Sequence, residues 1–263
     1  MSAIRLAIAG AAGRMGQALF AAAEGQPDLT IVAGTERDTG LQAALPFPLF
    51  AAPADAMAGA DVWIDFTTPS ASVAAAAALA DSGVKAAIIG TTGLSEAEEA
   101  KIALAAQRLP IVKAGNFSLG VAVLSALVRQ AARALGAGYD IEIEEAHHRN
   151  KVDAPSGTAL MLGDAAAAGR GASLASLRLP PRDGVTGPRP QGGIGFSATR
   201  GGGIVGRHSV LFAGQREIVT LRHEALDRGV FADGALAAAR WALTRSPGLY
   251  AITDVVGLQA CGD

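Results

Sequence analysis

Through the first 115 or so residues, short apolar runs alternate with longer stretches in which apolar positions recur at helical spacing. Ile4 to Ala9, Leu29 to Gly34, Val62 to Phe66, Lys85 to Ile89 and Ile111 to Lys113 read as buried strands, with a weaker one near Pro48 to Phe50. Arg14 to Glu24, Ser70 to Asp81 and Glu96 to Arg108 read as helices, the last opened by a capping box of Ser95 and Glu98. Strands alternating with helices predict a doubly wound parallel sheet.

After residue 118 the pattern changes. A helix over about Leu119 to Leu135 leads into Asp140 to His147, whose alternation predicts a strand with one buried face. Pro155-Ser156-Gly157-Thr158 opens another helix reaching about Ala168, and residues 171–203 read as a loop with a short strand near Ile194 to Thr199. Val205 to Ala213 and Arg216 to His223 form a hairpin around Gly214-Gln215. Consecutive strands without intervening helices predict a second domain of α+β type with an antiparallel or mixed sheet. A last helix, about Ala232 to Thr244, fits either domain. The resulting division is 1–118 with 228–263 for the first domain and 119–227 for the second.

Composition narrows the function. Of the 263 residues 50% are hydrophobic and only 17% charged, with a formal net charge of −2. That leaves no electrostatic footprint for nucleic acid or an anionic membrane surface. The start of the chain reads as a first strand rather than a signal peptide, and the alanine-rich run Val73 to Ala80 is far short of a membrane span. The single cysteine, Cys261, excludes an internal disulfide and a cysteine metal cluster, and fits a reducing cytoplasm.

The first strand runs directly into Gly10-Ala11-Ala12-Gly13-Arg14-Met15-Gly16 and then into a helix. Glycines there allow a tight turn, close approach of backbone to a pyrophosphate and close helix packing, and the helix start offers N–H groups to phosphates. The spacing is G-x-x-G-x-x-G rather than G-x-G-x-x-G. Context strengthens it: Glu36, at the end of the second strand, stands where a carboxylate takes ribose hydroxyls. Arg37 beside it suits the extra phosphate of NADPH, so the sequence predicts a Rossmann-like domain accepting NADH or NADPH. Gly90-Thr91-Thr92-Gly93 and Ala114-Gly115-Asn116-Phe117 fall at further strand ends on the same edge, where ligands of parallel sheets bind.

His147, His148 and Lys151 gather beside Arg149 at the end of a predicted strand, in a chain with four histidines and four lysines. No nearby cysteine and no i, i+4 histidine pair accompanies them, so a metal site is not predicted. The helix start at Ser156-Gly157-Thr158 follows within a few residues. An ammonium and a helix N-terminus are two devices for holding carboxylates, which predicts a small anionic substrate, and histidine is a natural general acid near neutral pH.

The segments Gly10 to Gly16, Gly90 to Gly93, Asn116 to Ser118 and above all Glu145-Ala-His-His-Arg-Asn-Lys-Val-Asp-Ala-Pro-Ser-Gly-Thr158 closely resemble 4-hydroxy-tetrahydrodipicolinate reductase, formerly dihydrodipicolinate reductase, of bacterial lysine and diaminopimelate synthesis. The resemblance extends through Ile194-Gly-Phe to Gly206-Arg-His208. It implies reduction of a cyclic hydroxy-dicarboxylate, with loss of water and hydride delivery to C4. It further implies His147 and Lys151 as proton donors, His148, Gly157 and Thr158 as substrate ligands, and a homotetramer assembled through the second domain. Asn150 departs from the pattern, since some relatives carry a third histidine there. Two rivals are another two-domain NAD(P)-dependent reductase of a small anionic substrate, and an NAD(P)H-sensing protein. The second leaves His147, Lys151 and the helix start without a purpose.

Overall fold

The computed structural model describes residues 2–38 and 45–258. Cys261 lies outside them. Two compact units result, one of Met1–Leu119 with Gly229–Gly257 and the other built on Gly120–Arg228.

The first unit carries a seven-stranded sheet in the order β11-β6-β5-β4-β1-β2-β3, all neighbours parallel. Its strands are β1 (Ile4–Ala9), β2 (Leu29–Thr35), β3 (Leu49–Phe50), β4 (Val62–Asp65), β5 (Ala86–Ile89), β6 (Pro110–Lys113) and β11 (Gly248–Tyr250). Helices α1 (Arg14–Ala23), α2 (Pro53–Met57), α3 (Pro69–Leu79), α4 (Glu96–Ala105), α8 (Gly229–Ala242) and α9 (Ile252–Val255) complete it. The chain leaves β1 for β2 on one side and places β4 on the other. That is a topological switch point, and ligands of such sheets bind at the strand ends beside it. The capping box forms as its spacing predicts: Ser95 Oγ accepts from the Glu98 N–H and Glu98 Oε2 from the Ser95 N–H.

The alanine bias has a packing cause. In α8, Ala232, Ala235, Ala238, Ala239 and Ala242 are buried together with Gly234. A Cβ on Gly234 would sit 1.7 Å from the Phe117 carbonyl oxygen, so helix and backbone touch without a side chain between them. Gly234→Ala should therefore destabilise the protein by about 2–3 kcal/mol through overpacking. Urea denaturation reads this directly, and an unchanged midpoint would contradict the close approach.

The second unit has a four-stranded mixed sheet in the order β10-β9-β7-β8. Strand β7 (Asp140–His147) runs parallel to β8 (Ile194–Arg200) and antiparallel to β9 (Gly206–Ala213), which pairs with β10 (Ile218–Ala225). Helices α5 (Leu119–Leu135) and α6 (Gly157–Gly169) supply Leu124, Val128, Ala132, Ala159, Leu162 and Ala166 to a core with Ile141, Ile143, Ile194, Val210 and Phe212. With the turn after it, α5 reaches Gly138 and is long and apolar enough by composition to cross a membrane. Its stripe of Val121, Leu124, Val128 and Ala132 is buried, while Arg129 and Arg133 are exposed on another face.

Several boundaries differ from the sequence reading. The hairpin closes through four residues rather than two, because the Gly214 N–H donates to the Glu217 carbonyl at 2.9 Å and Ala213 pairs with Ile218. The second strand accordingly begins at Ile218 instead of Arg216. Residues 171–203 are not all loop: α7 (Leu174–Leu177) forms behind Ser173, whose hydroxyl accepts from the Ser176 N–H. The short elements α2, β11 and α9 are additions, too brief to show a period of their own.

Candidate active site

Period-two geometry explains how an apolar strand face becomes a polar site. On β7 the odd positions run Ile141, Ile143, Glu145, His147, all on one face. Their partners continue the same rows: Ile141 pairs with Ile194 and Phe212, Ile143 with Phe196 and Val210, Glu145 with Ala198 and His208, and His147 with Arg200. The core face thus ends in a row of His147, Glu145, Arg200 and His208. The start of α6 supplies Ser156 to that row.

Glu145 has no side-chain exposure and four hydrogen bonds. Its Oε1 accepts from the Ser156 N–H at 3.1 Å and from Arg200 at 2.7 Å. Its Oε2 accepts from Arg200 at 2.8 Å and meets His147 Nδ1 at 2.6 Å. Burial pushes the Glu145 carboxyl up, yet the bonds from Arg200 and His147 outweigh it and hold the group below its ordinary value. Burial pushes His147 down against the pull of Glu145, and the Lys151 and Arg200 cations act in the same downward direction. Neutral imidazole is therefore favoured at His147 in the free protein. His208 is more deeply buried and falls to about 4, with His147 adding to the effect; its ring lies edge-on to His147 with centroids 5.1 Å apart.

The helix start is capped from within. Ser156 Oγ accepts from the Ala159 N–H at 3.2 Å and meets His208 Nε2 at 3.0 Å. Gly157 follows at the first helical position, exposed, where an N–H has no intrahelical acceptor. A Cβ built on Gly157 would meet nothing within 4 Å, so the helix end is open to a ligand there. Lys151 pairs with Asp153 at 2.9 Å, and this pair lies just ahead of the same helix. His148 does not join His147; its Nε2 lies 3.2 Å from an Arg228 nitrogen. Asn150 is exposed. Among the described residues no group of three His, Cys, Asp or Glu side chains could hold a metal ion.

In the first unit the glycine loop fits a dinucleotide. Gly10 adopts φ +64°, a left-handed turn that only glycine takes readily, and the Gly13 N–H donates back to the Gly10 carbonyl at 3.0 Å. A Cβ on Gly16 would lie 2.3 Å from the Ala11 carbonyl, so this position keeps α1 tight against the loop. Gly13 caps α1 without a side-chain bond, and Arg14 and Met15 form its first turn. Glu36 Oε1 accepts from the Ala12 N–H at 2.7 Å, which ties the end of β2 to the loop. Arg37 is exposed.

Other strand-end residues divide by exposure. Thr92 and Gly115 are exposed and Ala114 and Asn116 half-buried, and Asn116 Oδ1 accepts from the Ser118 N–H at 2.8 Å to set the turn after β6. Gly90 is half-buried. Ala11, Thr91 and Phe117 are buried, so their side chains belong to the fold. Phe117 stacks edge-on to Phe66 at 5.3 Å. Thr91 belongs to a polar network outside the sequence reading: Asp65 Oδ1 accepts from the Thr67 N–H at 2.9 Å and hydroxyl at 2.6 Å, and Ser72 donates to Thr91 at 2.7 Å. It fixes the ends of β4 and β5 to each other. Glu145, Arg200 and His208 also escaped the site reading, and Ser156 entered it only as part of the helix start. The first had a signal in the sequence, because Glu145 and His147 stand two apart on one strand face.

Residues 4–117 match the family model described as dihydrodipicolinate reductase, N-terminus, and residues 120–256 the one described as dihydrodipicolinate reductase, C-terminus. A 4-hydroxy-tetrahydrodipicolinate reductase from Caulobacter vibrioides is 53% identical over 257 residues, covering 97% of this chain and 98% of the relative. One from Rhodopseudomonas palustris is 47% identical over 276 residues, covering 98% and 99%. Among solved structures, the dipicolinate-bound dihydrodipicolinate reductase from Paenisporosarcina sp. TG-14 is similar with a TM-score of 0.78 and 26% identity, over 95% of this chain and 97% of that one. Matched by both halves of one family and aligned nearly end to end with relatives at about half identity, the chain belongs to the dihydrodipicolinate reductase family.

Proposed function

We propose that this chain reduces (2S,4S)-4-hydroxy-2,3,4,5-tetrahydrodipicolinate to (S)-2,3,4,5-tetrahydrodipicolinate in the diaminopimelate route to L-lysine. One NADH or NADPH and one proton are consumed, and one water and the oxidised cofactor are released. The carrying observation is the row of polar groups at the end of the β7 core face, with Lys151 and the α6 start beside it, in a member of this family.

The first unit, with Gly10, Ala11, Ala12, Gly13, Arg14, Met15, Glu36, Arg37, Gly90, Thr91, Thr92 and the turn from Ala114 to Phe117, holds the dinucleotide. A reduced nicotinamide held there would supply the hydride for C4 of the ring. The second unit holds the dicarboxylate: Lys151 by charge, Gly157 and Thr158 at the helix start, His148 from the side. His147 gives a proton to the carbon next to C4 as charge develops there, and Lys151 is a further donor. Homotetramers assemble through the second unit, where Ile218, Thr220, Arg222 and Glu224 line an exposed face of β10. A reaction that consumes NADH or NADPH draws on the reduced cofactor of the cytoplasm, which supports a cytoplasmic location.

The test is substrate-dependent oxidation of NADH and NADPH, with substrate made in place by the preceding synthase and pyridine-2,6-dicarboxylate as inhibitor. Cofactor oxidation without dependence on that substrate would refute the reading. Within it, Arg37→Ala is expected to raise the KM for NADPH about tenfold by loss of a charged hydrogen bond to phosphate, and to leave NADH within twofold. Equal losses for both cofactors would remove Arg37 from phosphate recognition.

A further inference from the structure

Glu145 has no oxygen to offer a ligand. Its four hydrogen bonds run to Ser156, His147 and twice to Arg200, and its side chain has no exposure. A group so enclosed acts on substrate only through a neighbour. An ionised carboxylate is an acceptor only, so the 2.6 Å contact places a hydrogen on His147 Nδ1. The other ring nitrogen, Nε2, has no hydrogen-bond partner among the described residues. Beside it stands Gly206, where a Cβ would come within 3.2 Å of Nε2. The missing side chain leaves that nitrogen uncrowded.

We propose that Glu145 is a positioning residue for the reduction: it holds the His147 ring by Nδ1–H, so that Nε2 alone takes up and hands over the proton. Arg200 keeps the carboxylate ionised for that task, and the Ser156 N–H aligns it with the start of α6. The proposal rests on His147 as proton donor. The charged and titratable groups around the ring are Glu145 on its own strand, Lys151 on the following loop, Arg200 on β8 and His208 on β9. Glu145 is the one anion among these, so it is the group that favours the imidazolium form.

Nitrogen-15 NMR of His147, assigned by comparison with His147→Ala, reads the tautomer in the wild-type protein. The expected result is a neutral ring with its proton on Nδ1; a proton on Nε2 overturns the proposal without any substitution at Glu145. Glu145→Gln keeps the shape and removes the charge. It should lower kcat by roughly 10²- to 10⁴-fold, no further than His147→Ala does, and leave both KM values within about twofold, in the manner of a carboxylate that fixes a catalytic imidazole. The basic limb of kcat should move to lower pH, and the tautomer should become mixed. In the His147→Ala background the same substitution should add nothing, since a residue acting through another is non-additive with it. Equal losses in both backgrounds, or an unmoved pH limb, overturn the proposal. Full turnover by His147→Ala would instead refute the proton-donor reading, an outcome that the tautomer measurement keeps distinct.

Discussion

Replacing His147 with alanine lowers kcat by roughly 10²- to 10⁴-fold, the range for a positioned general acid. NADPH affinity stays near its wild-type value, because the glycine loop and Glu36 belong to the other unit. The pH dependence carries the sharper information. In the free protein burial, Lys151 and Arg200 all disfavour the imidazolium, so His147 titrates below its ordinary value and loses its proton early as pH rises. A bound dicarboxylate brings two negative charges beside those cations and favours the protonated ring. The basic limb of kcat, which reports the complex, should therefore lie at higher pH than the basic limb of kcat/KM, which reports the free enzyme. Steady-state rates across pH 5 to about 9 measure both. Coincident limbs would mean that the ligand does not change the charge around His147, and near-normal turnover by the alanine variant would remove His147 from proton transfer.

Much of this site was legible as local pattern. Alternation placed β7 at Asp140–His147, the boundaries that the structure shows, and Ser156-Gly157-Thr158 announced a helix whose serine does cap it. What stayed hidden depends on register. Glu145 and Arg200 are 55 residues apart, Ser156 and His208 are 52 apart, and only the pairing of β7 with β8 and β9 joins them. Arg200 was also camouflaged, since it closes a glycine-rich segment that reads as loop. In the first unit the glycine motif marked the switch point of the sheet, but sequence gave no means of separating Thr92, which is exposed, from Thr91, whose hydroxyl is taken up by Ser72 and Thr67. Strand β11 was missed because three residues at a sheet edge carry no period, and it is held by pairing with β6.

Lys151→Ala raises the KM for substrate and the inhibition constant of pyridine-2,6-dicarboxylate together, by roughly 10- to 150-fold. That range is the loss of a charged hydrogen bond worth about 1.5–3 kcal/mol. The ammonium now pairs with Asp153 at 2.9 Å, and the Asp153 side chain is 52% exposed. An exposed ion pair contributes only about 0–1 kcal/mol, so exchanging Asp153 for a substrate carboxylate costs little while the position of the lysine is kept. The thermal midpoint should accordingly move by no more than ~2–4 °C, the shift that about 1 kcal/mol produces in a chain of this size. Because the same ammonium is also assigned a proton, kcat falls too, and Lys151→Arg separates the two duties: it keeps the positive charge and restores inhibitor binding, but an always-protonated guanidinium cannot restore kcat. Unchanged inhibitor affinity in Lys151→Ala would show that the carboxylates are held by the start of α6 without the lysine, and recovery of full turnover by Lys151→Arg would show that Lys151 binds and does not donate.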